Sequence, residues 1–353
     1  MKTIALLSLL ACGGSEPAPA PAPVQPPPAE KVKQPDAKRA AAQRSHSAVF
    51  QPVEAVTVAD ADKAKVDLGR QLYYDTRLSI NGKLSCNSCH ALAGFGVDNE
   101  PTSPGHEGKR GDRNSPTVYH AFMHVAQFWD GREPDVEAQA KGPVTNPVEM
   151  GMPDPAYVEK VLKSIPGYEK GFAAAFGGDN PVTYDNMGSA IGAFERHLVT
   201  PGRFDAYLGG DLDALTDAEL EGLDTFVSTG CVSCHMGPLL GGSTYQKLGL
   251  VEPYDTEDIG RAKFTGEDSD KYFFKVPSLR NIAETGPYLH DGSIATLDEM
   301  VKLMAKHQLG KELSDKETAS IVTFLGALTG EIDKGYIAKP ELPENGADTP
   351  APG

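Results

Sequence analysis

A five-residue pattern occurs twice in this chain, as Cys86-Asn87-Ser88-Cys89-His90 and as Cys231-Val232-Ser233-Cys234-His235. Both copies read C-x-x-C-H, the arrangement that attaches a c-type haem. The two thiols add to the vinyl groups as thioethers, and the adjacent imidazole is placed to bind the iron from one side. Four of the five cysteines are committed to these copies and the fifth, Cys12, lies near the N-terminus, so none is left for a structural disulfide. With 5 Cys and 9 His in 353 residues, chance supplies only about 0.002 copies. A zinc ribbon would separate its cysteine pairs by roughly 15–20 residues. Here Cys89 and Cys231 stand 142 positions apart. Two covalent c-type haems, one per copy, is the reading that survives.

The length fits two domains of roughly 150 residues, and 40% hydrophobic residues is enough to build cores. No run of apolar residues reaches the roughly 18 that a membrane-spanning helix needs. Lys and Arg number 33 against 49 Asp and Glu, a net charge of −16. Such a body repels phosphate backbones, which argues against nucleic acid and suits a basic protein partner. Residues 1–12, MKTIALLSLLAC, read as a lipoprotein-type signal, with Cys12 as the lipidated residue and a periplasmic, membrane-anchored body as the consequence. An ordinary secretory leader that loses Cys12 on cleavage is the competing reading. Residues 13–47 open with a Pro-rich run that reads as a semi-rigid tether. Residues 337–353, again rich in Pro, Gly and Glu, read as a disordered tail.

Helical signals dominate the body. Thr216/Glu219, Thr296/Glu299 and Ser314/Glu317 are capping boxes, each followed by apolar residues at helical spacing. Further helices fit Val66–Tyr74 and Tyr184–Leu198. The segments 94–118 and 236–290 are long, irregular and rich in Gly, Pro, Asp and Asn, a character that goes with function. The fold expected is mainly α: two cytochrome c-like domains, 48–200 and 201–336, each binding one haem. In the second, the motif lies between helices 216–228 and 314–328, with Met304 on the helix at 296–306.

His90 and His235 each fill one axial position, and whatever fills the other decides function. Two strong ligands make an electron-transfer centre, whereas a releasable ligand opens the iron to peroxide. The remaining histidines are His46, His106, His120, His124, His197, His290 and His307, and spacing does not choose among them. His106 lies in the flexible run Pro104-Gly105-His106-Glu107-Gly108, from which a ligand can leave without unfolding a helix. Met304 is placed to ligate the second iron, and equally to pack beside Met300 in a core.

The ordered series LSCNSCH, PTSPGH, RNSPTV, AQFWDGR, EAQAKGPV, PVEM, NPVTYDN, GCVSCH, PSLRN, TGPYLHDGS and LDEMVKLM resembles the bacterial di-haem cytochrome c peroxidases over roughly residues 50–330. The resemblance implies a low-potential peroxidatic haem held by His90, with His106 as a second ligand released on activation. It implies a high-potential electron-entry haem held by His235 and Met304. Trp129 would lie between the haems, Glu149 would serve as the acid–base residue and Gln139 would line the peroxide pocket. A calcium ion would be bound by the Asn114 side chain and the carbonyls of Thr285 and Pro287. Hydrogen peroxide would be the substrate, a small reduced cytochrome c or copper protein the electron donor, and a homodimer the assembly. Trp129 as core and Glu149 as a surface carboxylate are the plain competitors. Two other functions stay open: a di-haem electron-transfer protein, and a peroxide-using oxidase of a partner protein, whose relatives in methylamine dehydrogenase maturation carry tyrosine in place of the axial methionine.

Overall fold

The computed structural model describes residue 1 and residues 36–353. The leader, Cys12 and most of the tether fall outside these residues. The first half contains α1 (Ala37–Ser47), α2 (Lys63–Tyr74), α3 (Cys86–Cys89), α4 (Val136–Gln139), α5 (Gly142–Thr145), α6 (Pro155–Lys163), α7 (Pro166–Phe176) and α8 (Tyr184–Glu195). The second contains α9 (Arg203–Leu208), α10 (Asp217–Thr229), α11 (Ala262–Thr265), α12 (Leu297–Leu309) and α13 (Asp315–Gly326). The protein is mainly helical. Two three-residue strands, β1 (Tyr245–Lys247) and β2 (Phe273–Lys275), pair antiparallel within the long irregular segment.

Helix ends follow the local code. Thr216, Thr296 and Ser314 each accept from the backbone N–H three residues on, and Glu219, Glu299 and Glu317 close the boxes in return. Gly230 and Gly310 end α10 and α12 in the left-handed region, at φ 103° and 63°. The helices then bury their apolar stripes in two cores. In the first, α2 packs on α7 and α8 through Leu68, Leu72, Ile191 and Phe194. In the second, α10 crosses α13 through Leu223, Phe226, Ile321 and Phe324. Each crossing has a glycine at its closest approach. A Cβ at Gly69 would run into the Ala190 carbonyl, and one at Gly222 into the Ser320 carbonyl.

The chain ends depart from the expected boundaries. The expected tether runs to residue 47, but the proline-rich composition stops at Pro35 and an alanine-rich run takes over, which favours the helix found at Ala37–Ser47. The resulting α1 packs on α9, where His46 is buried and bonded to the Tyr207 hydroxyl at 2.8 Å. Phe50 belongs to the second core, edge-on to Phe204, and not to the first domain. The tail crosses the other way. Ile337 belongs to the first core and its carbonyl accepts from the Tyr74 hydroxyl. Arg77 donates to the Pro343 carbonyl at 2.9 Å, and the Gly353 N–H to the Ile80 carbonyl at 2.8 Å. The tail lacks apolar residues for a core of its own, so composition suggested disorder, but donors on the first core hold it as a strap. Deleting residues 340–353 is expected to cost on the order of 1–2 kcal/mol. Thermal unfolding of the truncated chain checks this, and an unchanged midpoint would show that the strap adds nothing.

Candidate active site: two cavities that share a wall

Each C-x-x-C-H motif opens onto its own cavity. The first, of about 570 Å³, is lined by Cys86, Cys89 and His90 together with Gln139 and Glu149. The second, of about 220 Å³, is lined by Cys231, Cys234, His235 and Met304. All four thiols are free. Burial raises the pKa of Cys86 and Cys89 and takes Cys231 up to about 11, which favours the thiol at these three positions. Ser85 and Ser88 form a capping box around α3, which fixes the first motif as one turn of helix.

The histidines meet the requirements of an iron ligand. Burial lowers the pKa of both His90 and His235 and so favours the neutral imidazole that a metal needs. His235 Nδ1 donates to the Leu240 carbonyl at 2.8 Å, which leaves Nε2 as the ring's lone-pair nitrogen. A c-type haem therefore fits the donor set of each cavity: two free thiols, a neutral imidazole and a largely apolar wall.

The expected peroxide-handling residues converge on the first cavity. Glu149 accepts a hydrogen bond from Asn146 Nδ2 at 3.0 Å. Burial raises the Glu149 pKa, opposed by the Arg132 guanidinium and by the Asn146 bond. Trp129 lines both cavities, and its Nε1 donates to the Asn114 carbonyl at 2.9 Å. Met304 lines the second cavity beside Met300 and packs with Leu248 and Phe274. Asn114, Thr285 and Pro287 all border the second cavity. The Asn114 amide nitrogen is spent on the carbonyls of Glu100 and Pro101, which turns its oxygen into the free acceptor.

His106 is placed differently from expectation. Its ring lies over Gly151, where a Cβ would strike it, and its Nδ1 donates to the Glu149 carbonyl at 3.2 Å. It is not among the residues lining the first cavity. The loop is closed by the bridge between Pro104 and Arg110 and rests on the segment that carries Glu149, because Gly105 leaves room for the Val148 carbonyl. Asn81 Nδ2 holds the His106 carbonyl at 2.8 Å. Ligation by His106 thus requires this loop to leave its dock on Gly151.

The other histidines sort themselves by contact. His46 meets Tyr207 and Asp224, His120 meets Thr200, and His197 and His307 bond to the carbonyls of Val56 and Glu252. His290 is buried against Phe274, lines the second cavity and has no hydrogen-bond partner on either nitrogen. Two buried titratable groups in the cavity walls lie outside every motif of the sequence reading. Glu195, at the end of α8, lines the first cavity with its pKa pushed up to about 8 by burial and by Glu137. Its only signal was a carboxylate on the stripe that carries Ile191 and Phe194. Lys275, at the end of β2, lines both cavities, and nothing in the sequence marks it.

Residues 63–213 match the family model described as di-haem cytochrome c peroxidase. The chain is 48% identical over 304 residues to cytochrome c551 peroxidase of Nitrosomonas europaea, covering 85% of this chain and 89% of that one. It is 44% identical over 317 residues to cytochrome c551 peroxidase of Pseudomonas aeruginosa, covering 87% and 91%. Among solved structures, a MauG-like protein associated with microbial copper homeostasis superposes with a TM-score of 0.68 at 30% identity, covering 82% of this chain and 95% of that one.

Proposed function

The chain belongs to the di-haem cytochrome c peroxidase family, and on that premise we propose that it reduces hydrogen peroxide to two waters at the first cavity, with electrons entering at the second. The observation that carries the proposal is Glu149: a carboxyl with a raised pKa, held by Asn146, in the same cavity as Cys86, Cys89 and His90. A c-type haem at each motif would supply one-electron transfer and, in the first cavity, cleavage of the O–O bond.

The chain's own groups then have separate tasks. Glu149 takes the proton from the proximal oxygen of peroxide and returns it to the distal one, so that water leaves. Asn146 fixes Oε1, and Arg132 steadies the carboxylate before it takes the proton and after it has returned it. Gln139 lines the pocket beside it. Trp129, bordering both cavities, is the bridge for electrons. Met304 would be the second protein ligand at the entry site, where its thioether would favour a high potential. His106 would be the releasable ligand of the first site, with its dock on Gly151 as the position it takes when released. The donor is a small reduced cytochrome c or copper protein; the net charge of −16 favours a basic one. A calcium ion held by the Asn114 oxygen and the carbonyls of Thr285 and Pro287 would brace the wall between the cavities. Export to the periplasm with a lipid at Cys12, and a homodimeric assembly, complete the proposal. Among the described residues no helix is long and apolar enough to cross a membrane.

The test uses the protein with both haems attached and only the high-potential one reduced. Peroxide is added with excess reduced cytochrome c, and donor oxidation is followed. The expected result is rapid oxidation, with His106→Gly active even without prior reduction. Peroxide consumption without donor oxidation would favour a protein substrate instead. A half-reduced protein inert to peroxide would make it an electron carrier.

A further inference from the structure

Two side chains in the shared wall have no part in the reaction above. Lys275 is only 6% exposed, yet it borders both cavities. Its ammonium lies 2.7 Å from Nδ1 of His124, which borders both as well. Nε2 of His124 is buried without a hydrogen-bond partner. The facing groups are few. Asp130 acts on Lys275 from a distance, being already paired with Arg113 and Arg132. His120 faces His124, but it is bonded to Thr200, and burial and Arg280 hold it neutral.

Two bases at hydrogen-bond distance in a buried wall cannot both be cations. Either the Lys275 ammonium donates to a neutral His124, or the pair is neutral and one proton poorer. Burial lowers the Lys275 pKa to about 7 and drives that of His124 well below its ordinary value, with Lys275 and His120 adding to the effect. Lys275 is therefore the member that changes state near neutrality. An electron arriving in either adjoining cavity adds negative charge beside it, and in a poorly screened interior that favours the ammonium.

We infer that Lys275 and His124 form a proton-sharing pair that takes up one proton from water as one electron enters the two cavities. The inference rests on the reading that each cavity holds a redox group. The balance is simple. The donor gives one electron, bulk water gives one proton, the Lys275 amine becomes an ammonium bonded to His124 Nδ1, and no other bond forms or breaks. The pair would let charge cross the shared wall without leaving a net charge buried there.

The sign follows from linkage. If the reduced state binds the proton more tightly, the midpoint potential of the first reduction is level at low pH and falls as pH rises past the Lys275 pKa of the oxidised protein. The fall approaches tenfold in the electron equilibrium per pH unit, about 59 mV for one electron. Spectroelectrochemical titration of the holoprotein between about pH 5.5 and 9 reads this directly. Lys275→Met is expected to flatten the line. His124→Asn replaces a base by a weaker amide acceptor of the ammonium's hydrogen bond and is expected to move the break downward by about one pH unit. A level line in the wild type would show a permanently charged Lys275, and an unchanged slope in Lys275→Met would assign the proton elsewhere; either result overturns the pair. The wild-type line decides even if a variant fails to attach its haems. Peroxide turnover measured on the same sample separates the two proposals. Turnover with a level line rejects only the pair, and a falling line without turnover rejects only the peroxidase.

Discussion

Replacing Glu149 by glutamine lowers peroxide turnover by about 100- to 10,000-fold while both haems stay attached. The side chains are nearly the same size, so the bond from Asn146 Nδ2 to Oε1 can persist and the cavity keeps its shape. What is lost is the ability to accept a proton from one oxygen and return it to the other. The pH profile gives a second readout. Burial raises the Glu149 pKa, outweighing the lowering by Arg132 and Asn146. A base must be deprotonated to act, so the wild-type rate falls as pH drops through that raised pKa. In the glutamine variant this acid limb disappears. Stopped-flow turnover against pH, with haem content checked spectroscopically, measures both effects. Turnover within about threefold of wild type would remove Glu149 from the chemistry and leave Glu195, a buried carboxyl in that wall with no ion-pair partner among the described residues, to be tested next.

What the sequence made legible was local. A C-x-x-C-H motif announces its chemistry in five residues, and a capping box announces a helix start in four. All three boxes that were read at 216, 296 and 314 exist, because each needs only its own backbone. The place of Gln139 and Glu149 in one cavity was implied only by the resemblance, whereas Met304 was legible from its position on the helix after the second motif. Trp129 is in the shared wall through a bond to Asn114, fifteen residues away, that no local pattern encodes.

The missed features all depend on contacts between distant segments. The crossed ends are the clearest case: residues 37–50 pack on the second core and residues 337–353 on the first. Proline content described both ends as unable to build a core, which is true, but it says nothing about docking on one. Lys275 in a Phe-Phe-Lys strand and Glu195 at a helix end look like surface charges until cavities form beside them. The position of His106 is set by the missing side chain of Gly151, forty-five residues away. A ligand assignment drawn from loop composition could find the loop but not the side on which it rests.

Arg280→Met is expected to destabilise the second core by about 3–5 kcal/mol. Arg280 is 2% exposed, and its Nη1 lies 2.7 Å from Asp205 Oδ2 on α9. Its Nε donates to the Pro238 carbonyl, and its guanidinium lies 5.7 Å from the centre of the Phe204 ring. Methionine fills part of the volume but leaves a buried carboxylate without its cation. Asp205 also accepts from the backbone N–H of Val53 at 2.7 Å and of Gly202 at 2.8 Å. This one carboxylate therefore joins three segments, and they include the N-terminal stretch that crosses to the second core. Replacing a buried ion pair by apolar residues often restores stability. Here Arg280→Met with Asp205→Leu should not, because the Val53 and Gly202 N–H groups would be left unpaired at a further cost of about 1–3 kcal/mol each. Denaturant unfolding of the single variants and the double variant, treated as a double-mutant cycle, gives the coupling. If the double variant returned to wild-type stability, the carboxylate would matter only as a counter-ion to Arg280. If it stayed as unstable as Arg280→Met or fell further, Asp205 would be the clasp that fastens residues 50–53 to the core behind the second haem motif.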